Sequence, residues 1–357
     1  MDNIKQLKKF WSKKRVFITG HTGFKGSWLC IILSYLNANI HGYALKPKKN
    51  SLFKKSMIEK SLISNTFGNI NDFFKLKKKV KLLKPEIIIH MAAQPLVIES
   101  YKKPLETFNT NIIGTLNLLE SVKNVKSVKS VVIVTTDKVY KINKKNKIYK
   151  ELDQLWGFDP YSASKVGAEI ITDSYIQSFF KNSILKNKIS TVRAGNVIGG
   201  GDYSKDRLVP DIIFAINNKK KLKIRNPQYI RPWQHVLDPL LGYLMLAKKQ
   251  YLNKINDNQH AWNFGPSNKN FKKVIDVVKY AKKLQNFNYV ISANEIFKET
   301  KYLKLNSSKA KKKLNWTSKL SLYESLKFTI DWNRQIKKKL SIKSICEQQF
   351  LMYINKK

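Results

Sequence analysis

Residues 15–29 read Arg15-Val16-Phe17-Ile18-Thr19-Gly20-His21-Thr22-Gly23-Phe24-Lys25-Gly26-Ser27-Trp28-Leu29, and the fold turns on this stretch. Residues 16–19 form an apolar run of strand length. Gly20, Gly23 and Gly26 follow at every third position, and residues 28–36 read as a helix. A glycine turn between strand and helix lets backbone N–H groups meet a pyrophosphate at the helix N-terminus, where the dipole favours an anion. The spacing is GxxGxxG rather than the commoner GxGxxG, so the strand before it and the helix after it supply the meaning. The chain has only 14 glycines, and the other dense group is Gly195, Gly199, Gly200 and Gly201. Such clustering marks backbone that turns tightly or approaches a ligand closely.

Working outward, apolar runs at residues 39–45, 86–90 and 131–136 alternate with amphipathic stretches, and further strands are expected at 189–194 and 261–264. Strands alternating with helices predict an α/β fold, a Rossmann-like doubly wound parallel sheet. Past Gly195 the pattern changes to loops, shorter elements and a Lys-rich helical end, read as a smaller substrate-binding lobe. The expected division is 1–194 for the cofactor, with a return segment at about 236–264, and 195–357 mainly for the substrate.

The chain has 357 residues, 43% of them hydrophobic, enough for a real buried core. Lys and Arg number 68 against 24 Asp and Glu, a formal charge of +44. Those lysines are spread over every segment, and no zinc-finger or RNP pattern accompanies them, so no nucleic-acid partner is expected. No apolar run approaches the roughly 18 residues of a membrane span. Cys30 and Cys346 alone make no disulfide framework, which fits a cytoplasmic protein. The five histidines lack metal-ligand spacing, so no metal is expected.

Three constellations carry chemistry. Asp159-Pro160-Tyr161-Ser162-Ala163-Ser164-Lys165 reads as a helix start that places Tyr161 and Lys165 on one face. A phenol with an ordinary pKa of about 10 is a poor base near neutrality. A neighbouring ammonium and an oxidised nicotinamide would both favour its phenolate. Thr135-Thr136-Asp137-Lys138 lies at the C-terminal end of a strand, where ligands of open α/β sheets gather, and offers an acid/base pair beside Tyr161. Arg193 with Asn196, and Arg231 further on, suit a diphosphate. Trp233 and Asp238 divide evenly between core or capping roles and the site.

These motifs, with His90–Val97 (HMAAQPLV), Arg193–Asp202 (RAGNVIGGGD) and Arg231–Tyr243 (RPWQHVLDPLLGY), resemble the extended short-chain dehydrogenase/reductases, and within them the nucleotide-sugar 4,6-dehydratases. The resemblance runs from about Arg15 to Trp316. It implies NAD as cofactor, with Gly20, Thr22, Gly23, Phe24, Gly26, Asn69, Ile70, Ala92 and Ala93 around it together with Tyr161 and Lys165. Asn69 stands where the family usually has Asp. The resemblance also implies that Thr136, Asp137, Lys138, Tyr161 and Lys165 carry the reaction, and that Gln94, Arg193, Asn196 and Arg231 hold a nucleotide-sugar. Lys138 is similar to the branch of the family acting on CDP-glucose, where the dTDP-glucose branch has Glu. A homodimer is implied too. A nucleotide-sugar 4-epimerase, a dehydratase of another nucleotide-sugar, and a non-enzymatic anion-binding Rossmann protein remain as alternatives.

Overall fold

The computed structural model of the chain describes residues 3–142, 147–256, 259–267, 270–292 and 303–356. Its centre is a seven-stranded sheet built from β1 (Arg15–Thr19), β2 (Asn39–Ala44), β3 (Ser64–Phe67), β4 (Ile87–His90), β5 (Ser130–Val134), β6 (Ile189–Ala194) and β11 (Ala261–Phe264). The order is β11-β6-β5-β4-β1-β2-β3, and every pairing is parallel. Parallel strands covered on both faces read as continuous apolar runs, which is why residues 16–18, 87–89 and 131–134 carry Val, Ile and Phe without polar interruption.

The side-chain period of two then sorts these residues between two cores. Val16, Ile18, Ile87, Ile89, Val132 and Val134 face one way, onto the helices Phe24–Tyr35, Leu237–Tyr251 and Ile342–Asn355. Phe17, Ile88, Val131 and Ile133 face the other way, onto the helices Phe73–Leu83 and Gly114–Val122. The expected doubly wound sheet is therefore present. It also contains β3, whose sequence Ser-Asn-Thr-Phe has no apolar run to announce it. The helix after β1 begins at Phe24 rather than Trp28, because Gly23 is already its N-cap in an extended conformation.

Past β6 the chain builds β7 (Val197–Ile198), β8 (Leu222–Ile224), β9 (Ile230–Pro232), β10 (Gln234–His235), β12 (Phe271–Lys273) and β13 (Tyr289–Ile291). These pair as β7 with β10, β9 with β12 and β8 with β13. The strand order reverses between β1 and β4, so the loops after those two strands diverge and open a crevice at the carboxyl edge of the sheet.

The glycine turn sits at that switch point. Gly20 has φ +72°, and a Cβ there would lie 2.6 Å from the Ala92 nitrogen; a Cβ on Gly26 would lie 2.3 Å from the Gly20 carbonyl oxygen. Gly26→Ala is expected to destabilise the fold by about 2–3 kcal/mol, the cost of forcing atoms into a packed backbone. Chemical denaturation checks this, and an unchanged unfolding midpoint would count against the tight turn.

Candidate active site

The turn after β1 is prepared for an anion. The N-cap Gly23 offers no side chain to the first-turn N–H groups of the helix Phe24–Tyr35, and that turn contains no acidic residue. Unfilled N–H groups at a dipole's positive end are what a pyrophosphate needs. The surroundings are braced. His90 joins Thr19 and Thr115 through its two ring nitrogens at 2.7 and 3.2 Å, and the Thr19 hydroxyl accepts the N–H groups of Met91 and Ala92 at 3.2 Å each. Burial pulls His90 down to about 3, so the brace is neutral. Thr22 donates to the Leu45 carbonyl at 3.1 Å, and the Tyr43 hydroxyl donates to the Asn69 carbonyl at 2.9 Å. Ile70 is buried against Gly114, where a Cβ would come within 2.6 Å of it.

The acid/base groups meet at the far end of this crevice. Asp159 caps the helix Pro160–Tyr175, with Pro160 at its first position, and so fixes the start of the turn bearing Tyr161. The Thr136 hydroxyl donates to Asp137 Oδ1 at 3.1 Å and lies beside the Tyr161 phenol. Lys138 Nζ approaches the same carboxylate oxygen at 3.9 Å. Asp137 Oδ2 is buried with no hydrogen-bond partner among the described residues. Gly195 makes room for it: a Cβ there would sit 3.0 Å from Oδ2 and 2.5 Å from Pro232 Cγ. Thr136, Asp137, Lys138, Tyr161 and Pro232 thus share one small volume.

The electrostatics differ from the simple expectation for Tyr161 and Lys165. Burial pushes the Tyr161 phenol up to about 12; hydrogen bonding to Thr136 and the charge of Arg207 oppose this, while Asp137 and Asp159 add to it. Lys165 donates to the Val134 carbonyl at 3.0 Å and is drawn down to about 8 by burial, against the opposing charge of Glu169. The protein by itself therefore keeps Tyr161 protonated. A further positive charge has to enter the site before the phenol becomes acidic.

Two of the expected substrate residues are engaged by the protein's own groups. Arg193 is 3% exposed, and its guanidinium is held on several sides by protein groups. It forks onto Glu169 with two bonds of 2.9 Å and donates to the Tyr140 hydroxyl at 2.8 Å and the Glu151 carbonyl at 2.9 Å. These bonds take four of its five N–H donors, so the structure favours a bracing role for Arg193 over the expected hold on a diphosphate. Gln94 closes its own loop: its amide donates to Leu96 and Thr107 and accepts from the Leu96 N–H. Both amide hydrogens have partners there, which favours a loop-bracing role for Gln94. Asn196 is half-buried just past β6. Arg231 lies in β9 immediately before Pro232, with its guanidinium 5.2 Å from the Tyr229 ring centroid. Trp233 is buried and donates to the Lys272 carbonyl, and Asp238 accepts from Tyr353 and the Lys319 N–H, so both belong to the framework.

Sequence reading missed Lys25 and Arg207. Lys25 comes from the glycine turn, and burial brings its ammonium down to about 8; Arg207 and Lys165 push the same way while Asp137 opposes them. A lysine in the first turn of a helix, where the dipole disfavours a cation, was the available signal. Arg207 is tied to Asp202 at 3.3 Å.

Residues 17–329 match the family described as GDP-mannose 4,6 dehydratase. The CDP-glucose 4,6-dehydratase of Salmonella typhimurium is 43% identical over 333 residues, 92% of each chain. Among solved structures, dTDP-glucose 4,6-dehydratase of Bacillus anthracis in complex with NAD superposes with a TM-score of 0.75 at 23% identity, covering 91% of this chain and 98% of that one. UDP-glucose 4-epimerase of Thermotoga maritima with UDP-glucose gives 0.77 at 23% identity, covering 90% and 99%.

The role assigned to Arg193 is testable. Arg193→Met leaves Glu169 buried without its counter-ion and is expected to cost about 3–5 kcal/mol of stability. Burial alone would raise the Glu169 carboxyl; the Arg193 charge and the hydrogen bonds from Arg193, Thr135 and Thr191 outweigh it and hold it below the ordinary 4.5. The wild-type stabilisation is therefore full above that value and fades as pH falls through the depressed one. Denaturant unfolding at neutral and acid pH reads both effects. Unchanged stability with only a raised substrate KM would restore the diphosphate role.

Proposed function

The chain belongs to the GDP-mannose 4,6-dehydratase family, and on that premise we propose that it is a hydro-lyase converting CDP-glucose to CDP-4-keto-6-deoxyglucose, in nucleotide-sugar supply for cell-surface polysaccharide. The Salmonella relative supports the choice of sugar. What carries the reading is the meeting of Asp137 and Lys138 with Tyr161: interconversion at C4 alone needs the tyrosine, whereas loss of water also needs an acid and a base beyond it.

NAD is the cofactor in this proposal, and the residues fit it. The glycine turn, with Gly20, Gly23, Phe24 and Gly26, would hold the pyrophosphate; Thr22, Asn69 and Ile70 would lie along the adenosine half; Ala92 and Ala93 would flank the middle; Tyr161 and Lys165 would close the nicotinamide end. When bound, NAD accepts the C4 hydride and later returns it to C6.

This chain's own groups would do the rest. With the cofactor's positive charge favouring ionisation of Tyr161, its phenolate would take the proton of the 4-hydroxyl, and Thr136 would steady the same oxygen. The 4-ketone then acidifies C5–H. Lys138, one-fifth exposed and held near Asp137, removes that proton or steadies the enolate. Asp137, whose Oδ2 has no hydrogen-bond partner among the described residues, gives a proton to the departing 6-hydroxyl. Asn196 and Arg231 hold the nucleotide diphosphate. Residues 195–357 would supply most of this substrate lobe.

A homodimer in the cytoplasm completes the proposal. Ile113, Ile170 and Phe179 are large apolar side chains left exposed on adjoining helices. No described helix is long and apolar enough to cross a membrane.

The test is to incubate the protein with CDP-glucose, dTDP-glucose and GDP-mannose in turn and follow product mass. Loss of one water from CDP-glucose, with little change in the others, is the expected result. Formation of an isomer of unchanged mass would replace dehydration with epimerisation. Lys138→Ala should lower turnover by about 100-fold or more and leave reduced cofactor visible by absorbance.

A further inference from the structure

The helix Phe73–Leu83 (FFKLKKKVKLL) combines features that its place in the fold does not require. It needs only its inner side to cover the sheet, and there Leu76 and Val80 are buried in the core that also holds Phe17, Ile88 and Val131. The outer side departs from the polar face that an amphipathic helix ordinarily turns to water. Phe74 is 82% exposed and Leu82 68%. At the helical repeat Phe74, Lys78, Lys81 and Leu82 fall at i, i+4, i+7 and i+8, so they share one face, which Lys75 borders. All five side chains are exposed.

The charge on this helix is equally one-sided. Lys75, Lys77, Lys78, Lys79 and Lys81 have no acidic residue among them, and Asp72 at the N-cap is taken up by the Lys75 N–H at 3.0 Å. None of the five lysines forms an ion pair among the described residues. Lys75 with Lys79, and Lys77 with Lys81, are like charges four residues apart, a spacing that disfavours the helix. The basic face continues past the helix end, where Lys84 is exposed and its carbonyl accepts from Arg15 Nε at 2.8 Å. Lysine runs occur elsewhere, as Lys311, Lys312 and Lys313 in the helix Ser308–Leu314, but that helix exposes no large apolar side chain. Mutually repelling lysines combined with two projecting apolar side chains set the helix Phe73–Leu83 apart.

We propose that this helix is a docking face for an anionic lipid surface. A bilayer interface satisfies both halves of the pattern. Phe74 and Leu82, about 12 Å apart along the axis, enter below the headgroups, while Lys75, Lys78 and Lys81 keep their ammonium groups at the lipid phosphates. The negative surface also offsets the repulsion among the lysines. A nucleic acid would meet the charge but leave Phe74 and Leu82 in water. None of these residues belongs to the crevice, so docking and turnover are independent.

The test floats the full-length chain with vesicles of phosphatidylcholine alone or mixed with phosphatidylserine, at low and physiological salt. Wild type is expected on the phosphatidylserine vesicles, less so as salt rises. Lys78→Gln with Lys81→Gln is expected to weaken binding about 25-fold, roughly fivefold for each charge. Phe74→Ser with Leu82→Ser is expected to weaken it about tenfold or more. Lys311→Gln with Lys312→Gln removes the same charge elsewhere and is expected to stay within about twofold of wild type. Thermal melting of each variant establishes that it is folded. Equal losses from the two lysine pairs would overturn the proposal and leave only the diffuse charge of the chain. Binding that ignores the Phe74 and Leu82 changes and is displaced by single-stranded RNA would overturn it in favour of a nucleic acid. Wild type that floats with neither vesicle would overturn it outright.

Discussion

The buried fork between Arg193 and Glu169 is the interaction on which the placement of everything else depends. It joins β6, which supplies the arginine, to the helix Pro160–Tyr175, which supplies the glutamate one turn after Lys165. Thr135 and Thr191 donate to the same carboxylate at 2.5 and 2.6 Å, so β5 is drawn in as well. Tyr140 accepts from Arg193 and donates to Asn263 at 2.7 Å, which extends the network to β11. A buried ion pair is a weak source of net stability, because both charges lose water. Its effect here is positional: with Glu169 fixed, Lys165 and Tyr161 can face only the end of β5.

That geometry sets an electrostatic condition. Lys138 lies beside Asp137, and the buried Lys165 stands at the end of β5 in the same crevice. Such a site favours anionic ligands, and both a dinucleotide and a nucleotide-sugar bring diphosphates. It also separates the two states of Tyr161. Burial keeps the phenol protonated when the crevice is empty, and the proposed cofactor supplies the positive charge that the chain's own lysine, bonded to a backbone carbonyl, does not deliver at the phenol oxygen. The overall charge of +44 is much larger than this local excess and is spread along the chain, so it says little about the site.

Much of this was legible in the residues because strong local rules coincided. The strand–glycine–helix stretch at 15–36 and the apolar runs at 87–89 and 131–134 point to a covered parallel sheet. The pairing of Tyr161 with Lys165 at helical spacing, opened by Asp159 and Pro160, placed both on one face correctly. Other features were not legible, for reasons of tertiary geometry. Arginine 193 beside glycines looks like an anion ligand until Glu169, distant in sequence, is folded against it. Gln94 reads as a polar loop residue until Thr107 and Leu96 claim its amide. Strand β3 has no apolar pattern because it lies at the sheet edge and its residues are only half-buried.

The central claim is that one crevice oxidises, dehydrates and reduces the same sugar without releasing hydride. The most direct measurement uses CDP-glucose carrying deuterium at C4 and locates the label in the product by NMR. The account predicts deuterium at C6 of the 4-keto-6-deoxy sugar, moved there within a single turnover. Deuterium retained at C4, or lost from the sugar altogether, would contradict it.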